Sequence, residues 1–364
     1  MKKIISFLLF ALSTLWIYAQ HRFKIEVEAP SHMGESIFFS PKTIRAGFEE
    51  LYRFEIDSSS NISNIGTVWG FESAVFQVNV QEKNIISGDF PYPQPVSFQY
   101  IDKKNKPFVS AIFFLDTGSY TIQLPEDLHS YQVTLNSPIN KEYLDFKVLV
   151  DSLTDLDEKQ QKIGAYIKKH PASFVALWEI IKDYTYHSYN PLYLHNLQLF
   201  SHEIRSTELF KKLETKLKTE QSTMAGGEFP TIQFDARNQL TKKDFAGHSY
   251  TVIDYWSTTC TPCIQSMPQL LLINNKYRPK GVHMITVTDE RKPDRMKLAE
   301  NILAKNNINW TNYFDIDRDF RDKVNATIYP LYFLVDRNGV IVKRVSRLND
   351  IEKALEELVS ISTH

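Results

Sequence analysis

The stretch DYWSTTCTPC, Asp254 to Cys263, holds both cysteines of this 364-residue chain. The run YTVIDYW that ends at Trp256 is apolar enough for a buried strand, and the run that starts at Pro262 has the apolar spacing of a helix. Cys260 and Cys263 therefore form a Cys-x-x-Cys pair at a strand-to-helix junction. This placement puts the first cysteine at the start of a helix.

The position of this pair favours one kind of chemistry. Unpaired backbone N–H groups and the helix dipole stabilise a thiolate at a helix N-terminus. The thiolate is the attacking species in disulfide exchange, and a second thiol one turn later can attack the resulting mixed disulfide. Cys260 and Cys263 are thus predicted to exchange dithiol for disulfide. A zinc site, which needs two further ligands, and a structural disulfide, which would close a very short loop, remain as alternatives.

Residues 226–364 alternate strand and helix patterns around the pair. GVHMITVTDE predicts a strand, DRMKLAENILAKNN a helix, and LYFLVD and VIVKRV a hairpin about the turn RNG, before a closing helix. This order predicts a mixed sheet with helices on both faces. DIDRDF, Asp315–Phe320, starts like a calcium loop but lacks the glycine and the final glutamate, so it is interpreted as a strand end and a helix cap.

Two segments carry a family resemblance: VIDYWSTTCTPCIQSMP around the cysteines and TIYPLYFLVDRNGVIV, Thr327–Val342. Together they resemble the TlpA/ResA-like thioredoxin-fold thiol–disulfide oxidoreductases over about residues 226–362. The resemblance implies an enzyme with an α/β thioredoxin-like domain. In it Cys260 would be the nucleophile and Cys263 the resolving thiol.

The same resemblance implies roles for further residues. Asp254, six residues before Cys260, would be a buried carboxyl that moves protons for Cys263. A carboxyl inside an apolar strand should have a raised pKa, which suits proton transfer near neutral pH. Pro330 would be a cis-proline facing the disulfide. The residues expected to contact the substrate are Trp256, Thr261, Pro262, Tyr329 and Pro330.

Two positions depart from the family pattern. Many relatives carry tryptophan immediately before the first cysteine, where this chain has Thr259, and ResA-like proteins often carry glutamate where it has Ser266. The rim of the site should therefore be smaller and more polar. Proton handling would fall on Asp254.

The first part of the chain predicts a different organisation. Residues 1–19 have the basic start and apolar run of a signal peptide, with cleavage near Ala19–Gln20; an uncleaved anchor is the alternative. Residues 20–136 contain short alternating strands typical of an antiparallel β sandwich or barrel. Residues 137–225 have helical spacing, starting at Ser137 as N-cap, and precede the domain at 226–364. This order resembles secreted bacterial proteins of the same family.

The net charge and the predicted export limit the classes of partner that we expect. The net charge of −1 argues against a nucleic-acid partner, and no second apolar run of spanning length follows the signal, so no stable membrane insertion is expected after cleavage. We expect an exported, periplasmic protein. Beyond the redox-active disulfide, no cofactor and no metal is expected. The expected partners are a protein disulfide or dithiol substrate and a membrane redox donor.

The function predicted from these observations is that of an extracytoplasmic thiol–disulfide oxidoreductase working as a reductase of protein disulfides. The absence of a histidine between the cysteines favours reduction, since strongly oxidising relatives often have one there. A peroxiredoxin-like peroxidase is one alternative; Ser257 fits its hydroxyl position, but Ile253 stands where it needs proline. Another is a binding or delivery protein whose N-terminal β domain recognises a partner.

Overall fold

The computed structural model describes residues 21–41, 55–57, 61–68, 71–101, 107–109, 112–124, 126, 137–187 and 189–361. The predicted signal peptide, residues 1–19, lies outside the described residues. The chain divides into two compact units, Met1–Lys211 and Lys212–His364. Among the described residues, no helix combines the length and the apolar character that crossing a membrane requires.

Two sheets form the first part of the N-terminal unit. Its described strands are β1 (His21–Glu28), β2 (Ser36–Pro41), β3 (Glu55–Ile56), β4 (Ile62–Val68), β5 (Phe71–Asn79), β6 (Asn84–Phe90), β7 (Gln94–Ile101), β8 (Pro107–Val109), β9 (Phe113–Leu115) and β10 (Gly118–Gln123). One sheet has the order β10-β1-β6-β3, and the other has the order β4-β5-β2-β7-β8 with β9 also pairing with β7.

The two sheets share one apolar core, as expected for a sandwich. Alternate residues of β1, including Phe23 and Ile25, are buried there with Phe39 of β2 and Phe98 of β7. Among the described strands of this unit, pairing is antiparallel except between β1 and β10, which run parallel. The predicted antiparallel domain is confirmed, with one parallel pair at this edge. β1 and β10 are far apart in the sequence and no hairpin joins them, so the two strands are not forced to run antiparallel.

Helices follow the sandwich in the same unit: α1 (Pro138–Val150), α2 (Leu156–Lys169), α3 (Phe174–His187), α4 (Pro191–Leu197) and α5 (His202–Ser206), with α6 (Glu208–Ser222) starting in it. Ser137 caps α1 as predicted, because its hydroxyl accepts the Asn140 N–H. Asn140 also exchanges two hydrogen bonds with the backbone of Phe114 in β9, at 2.8 and 2.9 Å. The first helix is therefore fixed to the sandwich.

The C-terminal unit contains the elements around the cysteine pair: β11 (Ile232–Gln233), β12 (Gln239–Leu240), α7 (Lys242–Phe245), β13 (Tyr250–Trp256), α8 (Thr261–Tyr277), β14 (Val282–Thr288), α9 (Pro293–Lys305), β15 (Thr311–Phe314), α10 (Asp319–Lys323), β16 (Leu331–Asp336), β17 (Ile341–Val345) and α11 (Leu348–Ile361). Five of them form a sheet of order β15-β14-β13-β16-β17. The strands β15, β14 and β13 are mutually parallel, whereas β16 and β17 are antiparallel to their neighbours.

Both faces of this sheet are covered. Val252 of β13 and Leu334 of β16 pack against residues of α8 and α11, including Leu270 and Leu355. The opposite face packs against α7 and α10. The predicted mixed sheet with helices on both faces is confirmed. Because β13 is central, almost every side chain on it is buried.

The segment that begins like a calcium loop serves as a helix cap. The buried carboxylate of Asp315, just after β15, accepts the backbone N–H groups of Phe320 at 3.0 Å and of Arg321 at 2.9 Å. These bonds satisfy N–H donors at the start of α10. The interpretation of DIDRDF as strand end and cap is confirmed.

Candidate active site

The cysteine pair lies where β13 gives way to α8. Cys260 is the N-cap of α8, and its Sγ accepts the backbone N–H of Cys263 at 3.2 Å. Pro262, in the first turn, suits a position where no N–H is needed. The two sulfurs are joined as a disulfide. Cys260 is 9% exposed and Cys263 only 2%, so Cys260 is the more accessible sulfur.

The residues around Cys260 differ in their exposure. Thr259, Thr261 and Pro262 are exposed beside it. Trp256, by contrast, is fully buried and packs in the cluster that contains both cysteines. The expected substrate contact of Trp256 is not possible in this conformation, since its side chain has no exposed surface. Its apolar neighbours TVIDY place it in the core instead.

Asp254 lies on β13 on the sheet face covered by α8, and it is 2% exposed. Burial raises the pKa of Asp254 to about 8, because the ionised form loses its hydration. Within the part of the chain that the structure describes, Asp254 Oδ1 has no hydrogen-bond partner. At neutral pH the Asp254 carboxyl is therefore mostly protonated, and a minor fraction is ionised and able to accept a proton.

A pair of hydroxyl groups, one of them fully buried, lies on the same sheet face. Tyr332 of β16 stands directly opposite Asp254 in the antiparallel register. Its hydroxyl is 2.9 Å from that of Ser266 in α8, and the Ser266 hydroxyl is 2.8 Å from the Cys263 carbonyl oxygen. Burial, and then the nearby charge of Asp254, raise the pKa of Tyr332, so it stays a neutral phenol. Ser266, where relatives often carry glutamate, thus joins a neutral network behind Cys263.

The second loop of the site leads into β16. The Tyr329–Pro330 peptide bond is cis, and both residues are half-buried. Tyr329 packs against the cluster that contains the cysteines, and its ring stacks on that of Tyr255 at a centroid distance of 5.3 Å. Its hydroxyl donates to the carboxylate of Asp289. The structure therefore brings this loop to the same end of the sheet as Cys260.

Two acidic residues at this end were missed by the sequence analysis. Asp289 and Glu290 follow β14 directly, as residues 257–259 follow β13, and the two strands are parallel neighbours. The carboxyl ends of adjacent parallel strands meet at one edge of a sheet, which is the signal that would have identified the pair. Their spacing from Cys260, about thirty residues, hid the contact.

No cluster of three or more metal-ligating side chains occurs among the residues that the structure describes. The chemistry available at this edge is that of the disulfide, the buried carboxyl of Asp254, the acidic pair Asp289–Glu290 and neutral hydroxyls.

Comparison with known proteins identifies this part of the chain. Residues 224–358 match the Redoxin family model. This part of the chain is called the Redoxin domain here, after that similarity. The match spans the sheet of the C-terminal unit, the cysteine pair and the Tyr329–Pro330 loop, in agreement with the thioredoxin-like fold expected from the sequence.

Curated relatives of the Redoxin domain are thiol–disulfide oxidoreductases. YkuV of Bacillus subtilis is 27% identical over 105 residues, which cover 28% of this chain and 69% of YkuV. ResA of Geobacillus kaustophilus is 29% identical over 132 residues, which cover 32% of this chain and 71% of ResA. The expected relationship to ResA-like proteins is confirmed for the Redoxin domain, and with it thiol–disulfide oxidoreductase activity.

Solved structures are also similar over this part of the chain. The thioredoxin domain of a thiol–disulfide oxidoreductase from Bacteroides vulgatus is 25% identical and covers 37% of this chain and 97% of its own, with a TM-score of 0.33. A thiol:disulfide interchange protein from Bacteroides sp. is 26% identical and covers 38% of this chain and 92% of its own, also with a TM-score of 0.33.

Proposed function

We propose that this protein is an extracytoplasmic reductase of protein disulfides, in which Cys260 attacks, Cys263 resolves and Asp254 carries the proton. The observation that supports it best is Cys260 at the N-cap of α8, more exposed than Cys263, with a buried carboxyl behind the pair on β13. The Redoxin match supports the thiol–disulfide chemistry. The apolar leader at residues 1–19 supports export.

The first step forms a mixed disulfide. In the reduced protein the Cys260 thiolate attacks one sulfur of the substrate disulfide, a Cys260–substrate bond forms, and the other substrate sulfur leaves as a thiolate that takes up a proton. The backbone N–H of Cys263, which points at Cys260 Sγ, and the helix dipole stabilise the attacking thiolate. The exposed Thr261 and Pro262, with the cis Tyr329–Pro330 loop, would contact the substrate chain.

The second step releases the product. Cys263 gives its proton to the Asp254 carboxylate and attacks Cys260 Sγ; the Cys260–Cys263 disulfide forms, and the second substrate sulfur leaves as a thiolate that takes up a proton from solvent. Asp254 then releases its proton to solvent. Relative to the dithiol form of the domain, the substrate disulfide has gained two electrons and two protons, and the domain has lost them. A pKa of about 8 lets Asp254 exchange protons near neutral pH, although Cys263 itself is buried from solvent.

Each cycle consumes the dithiol, so a donor must reduce the disulfide again. We assign this role to a membrane redox partner that offers a dithiol, because an exported protein has no access to the cytosolic thiol pool. The peroxidase alternative needs only peroxide and the dithiol. Reduction of peptide disulfides and turnover of peroxide are therefore the two activities to compare.

The activity assay compares the mature wild-type protein with Cys260→Ser. With dithiothreitol as electron source, we expect the wild type to accelerate the precipitation of reduced insulin chains and Cys260→Ser to add nothing to the dithiothreitol background. Hydrogen peroxide consumption by the same samples should stay at background. Fast peroxide consumption without insulin reduction would replace this proposal with the peroxidase.

The N-terminal unit supports a recognition role beside this activity. A pocket of about 230 Å³ lies where the proline-rich turn after β6 meets the helical region, and its wall includes Tyr92, Pro93 and Phe174. Tyr92 and Phe174 stack with ring centroids 6.2 Å apart. A rigid aromatic pocket of this kind suits a partner segment, which would make the unit a delivery module for the reductase.

A further inference from the structure

Polar contacts join both loops of the site to one turn. The turn is Asp289–Glu290, directly after β14. Residues 257–259, before Cys260, are called the cysteine loop here, and residues 327–330, before β16, the proline loop. Each acidic residue of the turn contacts one loop through its side chain, so the turn lies between the two.

Glu290 holds the cysteine loop. Its Oε1 accepts the Thr258 backbone N–H at 3.0 Å and the Ser257 hydroxyl at 3.2 Å, and the Thr258 hydroxyl donates to the same oxygen. Arg295 of α9 donates through Nε to Oε2 at 3.4 Å and through Nη2 to the Thr258 hydroxyl. The four side chains form one connected network.

The charge of Glu290 is maintained by this network. Glu290 is only 8% exposed, and burial by itself raises the pKa of its carboxyl. The hydrogen bonds from Thr258 and Arg295 outweigh burial, so the net pKa is lowered. Glu290 is thus ionised at neutral pH, and charge-assisted hydrogen bonds of this kind are stronger than neutral ones.

Asp289 holds the proline loop and the end of β13. Its backbone N–H donates to the Trp256 carbonyl at 2.9 Å, and its carboxylate accepts the Tyr329 hydroxyl. Arg321 Nη1 lies 3.7 Å from the same carboxylate oxygen. Burial and the Asp289 charge raise the pKa of Tyr329, so its hydroxyl remains a donor.

We propose that the Asp289–Glu290 turn is the positioning element of the active site. Glu290 acts through Thr258 on the position of Cys260, and Asp289 acts through Tyr329 on the loop that faces the substrate. The inference rests on the proposed function, since it assigns positioning roles for disulfide exchange. Positioning matters because a displacement of about 1 Å between reacting groups costs up to ~100-fold in rate.

The two contacts have separable consequences. A relaxed cysteine loop moves Cys260 off the N-cap, weakens the N–H bond from Cys263 to Sγ, and so raises the pKa of the Cys260 thiol. A relaxed proline loop leaves Cys260 in place but misaligns the substrate. Alkylation by a small reagent reports the first effect only, whereas attack on a peptide disulfide reports both.

The first test measures the pH dependence of Cys260 alkylation by iodoacetamide in a Cys263→Ser background, where Cys260 is the single thiol. Thr258→Val keeps the shape of the side chain and removes its hydroxyl; Thr258→Ser restores the hydroxyl and is the matched control. We expect Thr258→Val to raise the pKa of Cys260 by about half a unit or more, slowing alkylation about threefold on the acidic side. Thr258→Ser should match the parent.

The second test measures attack of the same thiol on a disulfide-linked peptide present below saturation. Tyr329→Phe removes only the hydroxyl that Asp289 accepts. We expect it to slow the attack about fivefold or more and to leave the alkylation profile unchanged. Asp289→Ala should slow the attack to a similar extent and also leave the alkylation profile unchanged, because the backbone N–H of residue 289 still donates to the Trp256 carbonyl.

Two results would overturn the inference: an alkylation profile of Thr258→Val that superimposes on the parent, or a Tyr329→Phe effect equally large in alkylation and in attack. Circular dichroism checks each fold; if Thr258→Val does not fold, Thr258→Ala, which also removes the hydroxyl, replaces it with the same expected shift. Alkylation needs no disulfide substrate. A protein that attacks no disulfide would therefore contradict the proposed function and still leave the Glu290 contact measurable.

Discussion

At the scale of single residues, Asp254 combines a stability cost with a proposed role. Burial raises its pKa to about 8 from an ordinary value of 3.8. Between these two pH values the folded protein holds a proton that the unfolded chain has released. The contribution of Asp254 to the stability of the folded state is therefore most favourable below pH 3.8 and falls as the pH rises toward 8.

Replacing the carboxyl by an amide removes this dependence. We expect Asp254→Asn in the oxidised protein to be more stable than the wild type, with a gain in unfolding free energy that grows by about 1.4 kcal/mol per pH unit from pH 4 to pH 8. Urea unfolding followed by tryptophan fluorescence at several pH values measures it. A gain that is constant with pH would mean that Asp254 does not titrate in this range.

The same substitution should impair catalysis. Without the carboxylate, Cys263 has no internal proton acceptor, so we expect insulin reduction at pH 7 to slow by about 100-fold. In the wild type the rate should rise with pH until about pH 8, while Asp254→Asn should lack this rise. An unchanged rate and pH profile would remove Asp254 from the mechanism.

At the scale of secondary-structure elements, the β13–α8 junction follows from local sequence. The apolar run up to Trp256, the helical spacing after Pro262 and the family pattern around Pro330 were sufficient to predict where the cysteines lie. The Asp289–Glu290 turn was not predicted, because an acidic pair in a polar loop has no local signature. The turn comes next to the cysteine loop only because β14 pairs with β13 in parallel.

The contact of α6 with β17 likewise depends on tertiary structure. Arg344 Nη2 of β17 lies 3.5 Å from Glu220 Oε1 of α6, and both side chains are buried. Asn325 Nδ2 donates to the other Glu220 oxygen at 3.0 Å. Residues before 226, predicted to belong to the helical region, therefore pack within the C-terminal unit.

Breaking this ion pair should destabilise the C-terminal unit. We expect Arg344→Met to lower its unfolding free energy by about 3 kcal/mol, because the buried Glu220 carboxylate loses its closest guanidinium. The double variant Arg344→Met with Glu220→Leu should lose less than the single variant. Urea midpoints of the wild type, the single variant and the double variant measure these losses. A double variant that loses at least as much as Arg344→Met would show that the two residues are not coupled.

At the scale of the whole molecule, the boundary between the units predicts which truncation works. Residues 212–364 include Glu220 and the Redoxin domain, so we expect this fragment to fold and to reduce insulin at a rate within about twofold of residues 20–364. A fragment starting at residue 223 lacks Glu220 and should be less stable by about 3 kcal/mol. A folded 212–364 fragment without activity would mean that the N-terminal unit contributes to catalysis.

Cys260 is proposed as the attacking thiol and Cys263 as the resolving thiol, and one measurement separates the two roles. Reduced Cys263→Ser, mixed with a disulfide-linked peptide of known mass, tests this assignment by intact-mass and peptide mass spectrometry. We expect one peptide mass attached to Cys260 and released by dithiothreitol, with slower adduct formation by Cys260→Ser. An adduct on Cys263 in Cys260→Ser that forms at the same rate, with none on Cys260, would contradict this assignment.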